Sequence, residues 1–136
     1  MFSKKDILQK IECINARPSS YTLTIDGFKP RFLKHHRRNI EYNLTESDID
    51  NINQCTREIK LLFEKSNRHP HYCGSILLKR HIMEFRRSIL QIYNTYNTFY
   101  VIPYGHMILS FLLMGYYVKP DRTTTLINAT IKMKLL

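Results

Sequence analysis

The sequence predicts an α+β fold in one domain, residues 1–136, with about four helices and two β-hairpins. Two observations carry this prediction: apolar residues recur at helical spacing in several segments, and two other segments alternate between apolar and polar residues around turn residues. A third is a long uncharged stretch that can form a core. A chain of 136 residues is a usual length for one domain, which buries roughly two thirds of its unfolded surface.

The uncharged stretch, Phe99–Val118, contains no Asp, Glu, Lys or Arg. Its apolar residues surround a predicted helix, Tyr104–Met114, on all sides, which is typical of a buried helix, and Gly115 follows as a C-terminal stop. Twenty mostly apolar residues could also cross about 30 Å of hydrocarbon. Pro103 and Gly105 near the middle of the stretch and turn-like flanks favour the core helix, so we expect no membrane association.

Three further helices are predicted from capping residues followed by apolar periodicity. Ser3 with Asp6 and Thr45 with Asp48 have the spacing of capping boxes, and Ser75 is a candidate N-cap. The predicted bounds are Lys4–Ala16, Glu46–Lys65 and Ile76–Tyr93.

Two hairpins are predicted from alternation around turns. The dipeptide Asp26-Gly27 joins the first pair of strands, and a turn at residues 120–122 joins the second. The predicted strands are Tyr21–Ile25 with Phe28–Leu33 and Tyr116–Lys119 with Thr123–Lys132, and Phe99–Ile102 is predicted as a short buried strand.

The C-terminal part, two helices followed by a hairpin, resembles a winged helix-turn-helix in the order of its elements. Two features depart from that pattern. The connection from Asn94 to Pro103 is longer than the turn of about 3–4 residues in such motifs. The helix before the hairpin is also too apolar to present polar side chains to base edges in a major groove.

The charge is strongly basic and unevenly distributed. The net charge is +10, and six of the eleven acids lie between Glu41 and Glu64. The remaining chain should therefore carry a basic surface, which favours a polyanionic partner, DNA or RNA. An acidic protein surface is the alternative partner, and the chain would then be a small interaction module or inhibitor.

The candidate nucleic-acid-binding residues lie in three segments. The densest is residues 29–38, with five bases, two histidines and no acid; the others are the outer face of the helix Ile76–Tyr93 and the last hairpin. Their cations could neutralise phosphates, with Phe or Tyr rings stacking on bases as a secondary contribution. The same cations could equally form ordinary solvated faces. The candidates are Lys29, Arg31, Lys34, His35, His36, Arg37, Arg38, Lys79, Arg80, Arg86, Arg87, Lys119 and Arg122.

Zinc is considered because metal-ligand residue types occur together in the loop Ser66–Gly74. His69, His71 and Cys73 alternate there, and Cys55 could complete a tetrahedral set. The spacing matches no common zinc template and the chain has no C-x-x-C pair. We therefore expect neither a metal nor a cofactor. A loop in which Tyr72 stacks on bases would explain the same residues.

Enzyme chemistry has little support in the sequence. There is no G-x-S-x-G, Walker or H-E-x-x-H motif, and only four glycines are present. His106, at the start of the predicted core helix, is interpreted as a buried core residue rather than a catalytic one. His35 and His36 have no neighbouring acid to orient an imidazole. Three unpaired cysteines and a polar N-terminus favour an intracellular setting.

Overall fold

The computed structural model describes residues 1–17, 20–30, 44–66, 72–93, 101–120 and 125–134. Within these ranges the fold is α+β, with four helices and small antiparallel sheets, as the sequence predicts. The helices are α1 Lys4–Ala16, α2 Glu46–Leu62, α3 Ser75–Tyr93 and α4 Tyr104–Leu113. The strands are β1 Tyr21–Thr24, β2 Gly27–Pro30, β3 Phe63–Lys65, β4 Cys73–Gly74, β5 Val118–Pro120, β6 Thr125–Ile127 and β7 Ala129–Ile131.

The predicted capping boxes fix the starts of α1 and α2. The Asp6 backbone N–H donates to the Ser3 hydroxyl at 3.2 Å, and the Ser3 N–H donates to the Asp6 carboxylate at 3.0 Å. Thr45 and Asp48 repeat the arrangement at the same two distances. Each cap satisfies backbone donors that a helix leaves unpaired and contributes about 0.5–2 kcal/mol.

The core forms around α4. Every residue from Gly105 to Phe111 is buried, and α4 packs against α1, α2, α3 and the first hairpin. Gly105 permits the closest of these contacts: its N–H donates to the Ile25 carbonyl at 2.9 Å, and a Cβ at this position would overlap the Thr24 carbonyl. None of the helices in the described ranges is long and apolar enough to cross a membrane.

Several predicted boundaries differ from the structure. Helix α2 ends at Leu62 rather than Lys65, because Phe63 turns to an extended conformation and begins β3. Cys73 and Gly74, predicted as loop, form β4. Val101 and Ile102 are not in a strand, and Phe99 lies outside the described residues.

The predicted last strand, Thr123–Lys132, is divided at Asn128 into β6 and β7. Strand β6 pairs with β4 on one side and β5 on the other, whereas β7 pairs with β3. Asn128 connects the two arrangements: its carbonyl accepts from the Ser66 N–H at 2.9 Å, and its side-chain oxygen accepts from the Tyr117 N–H at 2.7 Å. Asn128 therefore bonds to both arrangements of strands at the point where they meet.

Candidate nucleic-acid interface

The predicted basic residues fall into four groups. Lys29, Arg80, Arg87 and Lys119 are exposed, Lys79 is half-buried, and Arg86 is buried. The remaining candidates, Arg31, Lys34, His35, His36, Arg37, Arg38 and Arg122, lie outside the described residues.

Arg86 does not lie on the outer face of α3, so this prediction is wrong. Its side chain is 5% exposed and binds Glu58, which is 2% exposed. The Arg86 Nε lies 2.9 Å from both Glu58 carboxylate oxygens, and Nη2 donates to Oε1 at 2.7 Å. A third partner is Asn51, whose side-chain oxygen accepts from Nη1 at 2.9 Å. Arg86 therefore joins α3 to α2 and is not available to a phosphate.

Burial and the neighbouring Arg86 act in opposite directions on the pKa of the Glu58 carboxyl. Burial raises the pKa of the Glu58 carboxyl, and the hydrogen bonds and charge of Arg86 lower it again. Asn51 extends the network, since its amide donates to the Val101 carbonyl at 3.1 Å and so holds the chain just before α4. The cluster positions three segments of the fold and has no open face for a ligand among the described residues.

Lys79 is only partly available to a partner. Its ammonium lies 4.7 Å from the centre of the Tyr104 ring, a cation–π contact, and burial lowers its pKa. The structure therefore gives Lys79 a packing role between α3 and α4 as well as a charge.

The outer face of α3 is of mixed character. Exposed Arg80 and Arg87 flank Glu84 at helical spacings of four and three residues, so the acid offsets part of their charge. The N-terminal end of the same face is apolar: the side chains of Ile76 and Leu77 are 56% and 48% exposed. A partner on this face would meet two cations and an aliphatic pair.

The β4-β6-β5 sheet presents a second exposed face, which was not predicted from the sequence. Cys73, Ile127 and Val118 lie side by side in the register and pack toward the core. Because successive residues of a strand point to opposite faces, Tyr117 and Lys119 point outward. Tyr117 is 73% exposed, and the alternation of Tyr116, which is 7% exposed, with Tyr117 was the available signal.

Tyr72 belongs to the same outer face by register. It directly precedes β4 and is 40% exposed. Cys73 pairs with Ile127, which in turn pairs with Val118. Extending both pairings by one residue sets Tyr72 and Tyr117 on either side of Asn128.

A basic cluster at the end of α2 was also missed. Lys60, Lys65, Lys132 and Lys134 are all exposed, and the Lys132 ammonium donates to the Lys60 carbonyl at 3.2 Å. This contact satisfies a free carbonyl in the last turn of α2 and complements the negative end of the helix. Lys132 therefore has a structural role in addition to its charge.

Two of the four candidate zinc ligands, His69 and His71, lie outside the described residues. Within those ranges no group of three or more His, Cys, Asp or Glu side chains could hold a metal. Cys55 is completely buried in α2, and burial raises the pKa of its thiol to about 12.

His106 is completely buried, and no described residue forms a hydrogen bond with either ring nitrogen. Burial lowers its pKa, with Asp48 opposing the shift. A neutral imidazole inside the core fits the interpretation of His106 as a core residue.

Helix α4 occupies the place of a recognition helix in the winged-helix order, between α3 and the β5–β6 hairpin. Its residues are buried or half-buried throughout. It therefore has no side chains to offer to base edges in a groove. No protein-family model, curated protein sequence or solved structure matches the chain.

Proposed function

We propose that the protein binds nucleic acid mainly through contacts between exposed cations and phosphates. The observation that carries the proposal is the combination of a net charge of +10 with exposed Arg80, Arg87 and Lys119 on α3 and the final hairpin. Phosphate contacts of this kind supply most of the affinity of non-specific binding. The remaining predicted cations in residues 31–38 and Arg122 add to the same charge.

The mode of binding follows from the burial of α4. Base-specific contacts in a major groove require a helix or strand with projecting polar side chains. Since α4 has none, binding depends on backbone contacts and has little sequence preference. DNA and RNA are both suitable partners.

A second candidate function is docking on a protein with an acidic surface. The exposed aliphatic side chains of Ile76 and Leu77 favour it, because apolar surface rimmed by polar residues is typical of protein–protein contacts. The neighbouring cations would then complement acidic residues around an apolar contact.

Salt-dependent binding tests the first proposal directly. The purified protein is titrated against random duplex DNA, single-stranded DNA and RNA at several salt concentrations. Each cation that neutralises a phosphate contributes about 0.9 to the slope of log K against log salt on duplex DNA. Replacing Arg80 and Lys119 together by Ala should therefore reduce the slope by about 1–2 and weaken all sequences alike. Replacing Arg37 and Arg38 together should do the same.

The matched control is the double variant Lys4→Ala with Lys5→Ala. It removes the same charge from exposed positions in the first turn of α1, where cations do not favour the helix dipole. The control should keep the wild-type slope. Absence of binding even at low salt would refute nucleic-acid binding and leave the acidic protein partner.

A further inference from the structure

The outer face of the β4-β6-β5 sheet combines two exposed aromatic rings with a cation. Tyr117 and Tyr72 are 73% and 40% exposed, and Lys119 is exposed on the same face. Strands β4, β5 and β6 contain no acidic residue. Exposed tyrosines on a sheet, next to positive charge, form the kind of platform on which unpaired bases stack.

Two hydrogen bonds with Asn128 hold the main chain of Tyr117 in place. Its N–H donates to the Asn128 side chain at 2.7 Å, and its carbonyl accepts from the Asn128 N–H at 3.2 Å. Both bonds use the main chain, so the ring itself has no structural partner among these contacts. Stacking on the ring would therefore order only the Tyr117 side chain and not the backbone that carries it.

The spacing of the two rings determines whether a paired or an unpaired strand can contact both of them. Tyr72 and Tyr117 directly precede β4 and β5, which lie on opposite sides of β6. Neighbouring strands are about 4.8 Å apart, so the backbones of the two tyrosines are about 10 Å apart. Bases stacked in a duplex follow each other at about 3.4 Å. Two rings at the larger spacing can each receive a base only from a strand that is unpaired and extended.

We propose that this face binds single-stranded nucleic acid, with bases stacked on Tyr117 and Tyr72 and a phosphate near Lys119. The inference rests on the proposed function and specifies its ligand. A charged polymer with exposed aromatic bases complements all three side chains, whereas an acidic protein surface would use only Lys119. The preference for single strands comes from the rings and the affinity common to all nucleic acids comes from the cations.

The test compares Tyr117→Ala with the wild type on a single-stranded oligonucleotide of mixed sequence and on the same sequence as a duplex. Loss of one stacked base should weaken single-strand binding roughly 5- to 150-fold, the range that about 1–3 kcal/mol gives at 1.4 kcal/mol per tenfold. Duplex affinity and the salt slope should not change. Tyr117→Phe should bind as the wild type, because stacking needs the ring and not the hydroxyl.

Two controls separate stacking from folding. Tyr117→Ala should unfold at the wild-type temperature, since the side chain is 73% exposed and its backbone bonds remain. Leu61→Ala removes an apolar side chain that is 46% exposed on α2 and should leave both affinities unchanged.

The outcomes distinguish this inference from the proposed function. If the wild type binds nucleic acid with a steep salt dependence but Tyr117→Ala binds single strands equally well, the stacking face is refuted and the phosphate contacts stand. Equal losses on single strands and duplex would also refute stacking. If the wild type binds no nucleic acid, the proposed function fails first, and the exposed face belongs to a protein partner.

Discussion

The structure predicts that Arg86→Ala strongly destabilises the fold, whereas an exposed position of Arg86 on α3 would predict little effect on stability. The change removes every bond from the guanidinium to Glu58 and Asn51 and leaves the Glu58 carboxylate, 2% exposed, without a counter-charge. Breaking a buried pair in this way costs about 3–5 kcal/mol. A chain of this length is stable by about 7–20 kcal/mol at 0.05–0.15 kcal/mol per residue. The variant should therefore be strongly destabilised or fail to fold.

The destabilisation should depend on pH. Without Arg86, burial acts unopposed and raises the pKa of the Glu58 carboxyl further than in the wild type. A carboxyl whose pKa is higher in the folded state binds its proton more tightly there, so stability increases as pH falls toward the unfolded value near 4.3. The difference in unfolding free energy between variant and wild type should shrink from pH 7 to pH 5. Urea denaturation followed by circular dichroism at both pH values measures it.

Two comparisons make the result interpretable. Replacing Arg86 and Glu58 together by Met removes both charges and should recover most of the lost stability. Arg80→Ala, at an exposed position of the same helix, should change stability by no more than about 0.5 kcal/mol. If Arg86→Ala and Arg80→Ala cost the same and both reduce the salt slope of DNA binding, the buried pair does not exist.

Two other predictions concern α4. Gly105→Ala places a Cβ against the Thr24 carbonyl, so the backbone has to move. The variant should lose about 1–3 kcal/mol or more of unfolding free energy, measured by thermal unfolding. A variant as stable as the wild type would contradict the docking of the first hairpin on α4. His106→Leu tests the buried imidazole: since burial lowers the pKa of His106 in the folded state, the wild type should lose stability as pH falls below about 6.5, by up to 1.4 kcal/mol per unit. Acid titrations of urea stability should show a shallower loss in His106→Leu, and identical slopes would mean that His106 is protonated in the folded protein.

The helices were predictable because their signals are local. Ser3 and Asp6 act within one turn, and the start and end of α1 follow from residues no more than a few positions away. The same holds for the start of α2 at Thr45. The nearly continuous apolar surface of α4 predicted its burial for a similar reason, since a helix with no polar face cannot lie on the surface.

The short strands were not predictable, because their signals are distant. β3 and β4 have three and two residues, too few for a periodic pattern. They exist because each finds a partner far along the chain, as Phe63 does in Ile131 and Cys73 in Ile127. Pairing of this kind depends on the packed fold rather than on local preference.

The buried position of Arg86 was partly visible in the sequence. Grouping Arg86 with Lys79, seven residues earlier, set it on an outer stripe. Arg86 also continues the row formed by Leu78 and Ile82 at intervals of four residues, and both of these residues are fully buried. Glu58 lies between Cys55 and Leu62 on the buried stripe of α2. Opposite charges beside two facing apolar stripes predict a buried ion pair, whereas the charge of either helix alone does not.

The interruption of the sheet at Asn128 explains how the outer tyrosines come together. β3 and β4 run in the same direction along one partner: Lys65 pairs with Ala129 and Cys73 pairs with Ile127. β3 and β4 are therefore separated by the seven residues 66–72, whereas the residues that pair with their ends are separated by Asn128 alone. An uninterrupted strand would have continued directly from Lys65, and Tyr72 would not enter the sheet beside Asn128 and Tyr117. Because Asn128 accepts from the Ser66 N–H and from the Tyr117 N–H through separate oxygens, it holds the end of β3 and the start of β5 in a fixed relation. Asn128 thus joins the two sheets and positions the main chain of Tyr117 in the surface proposed for stacking.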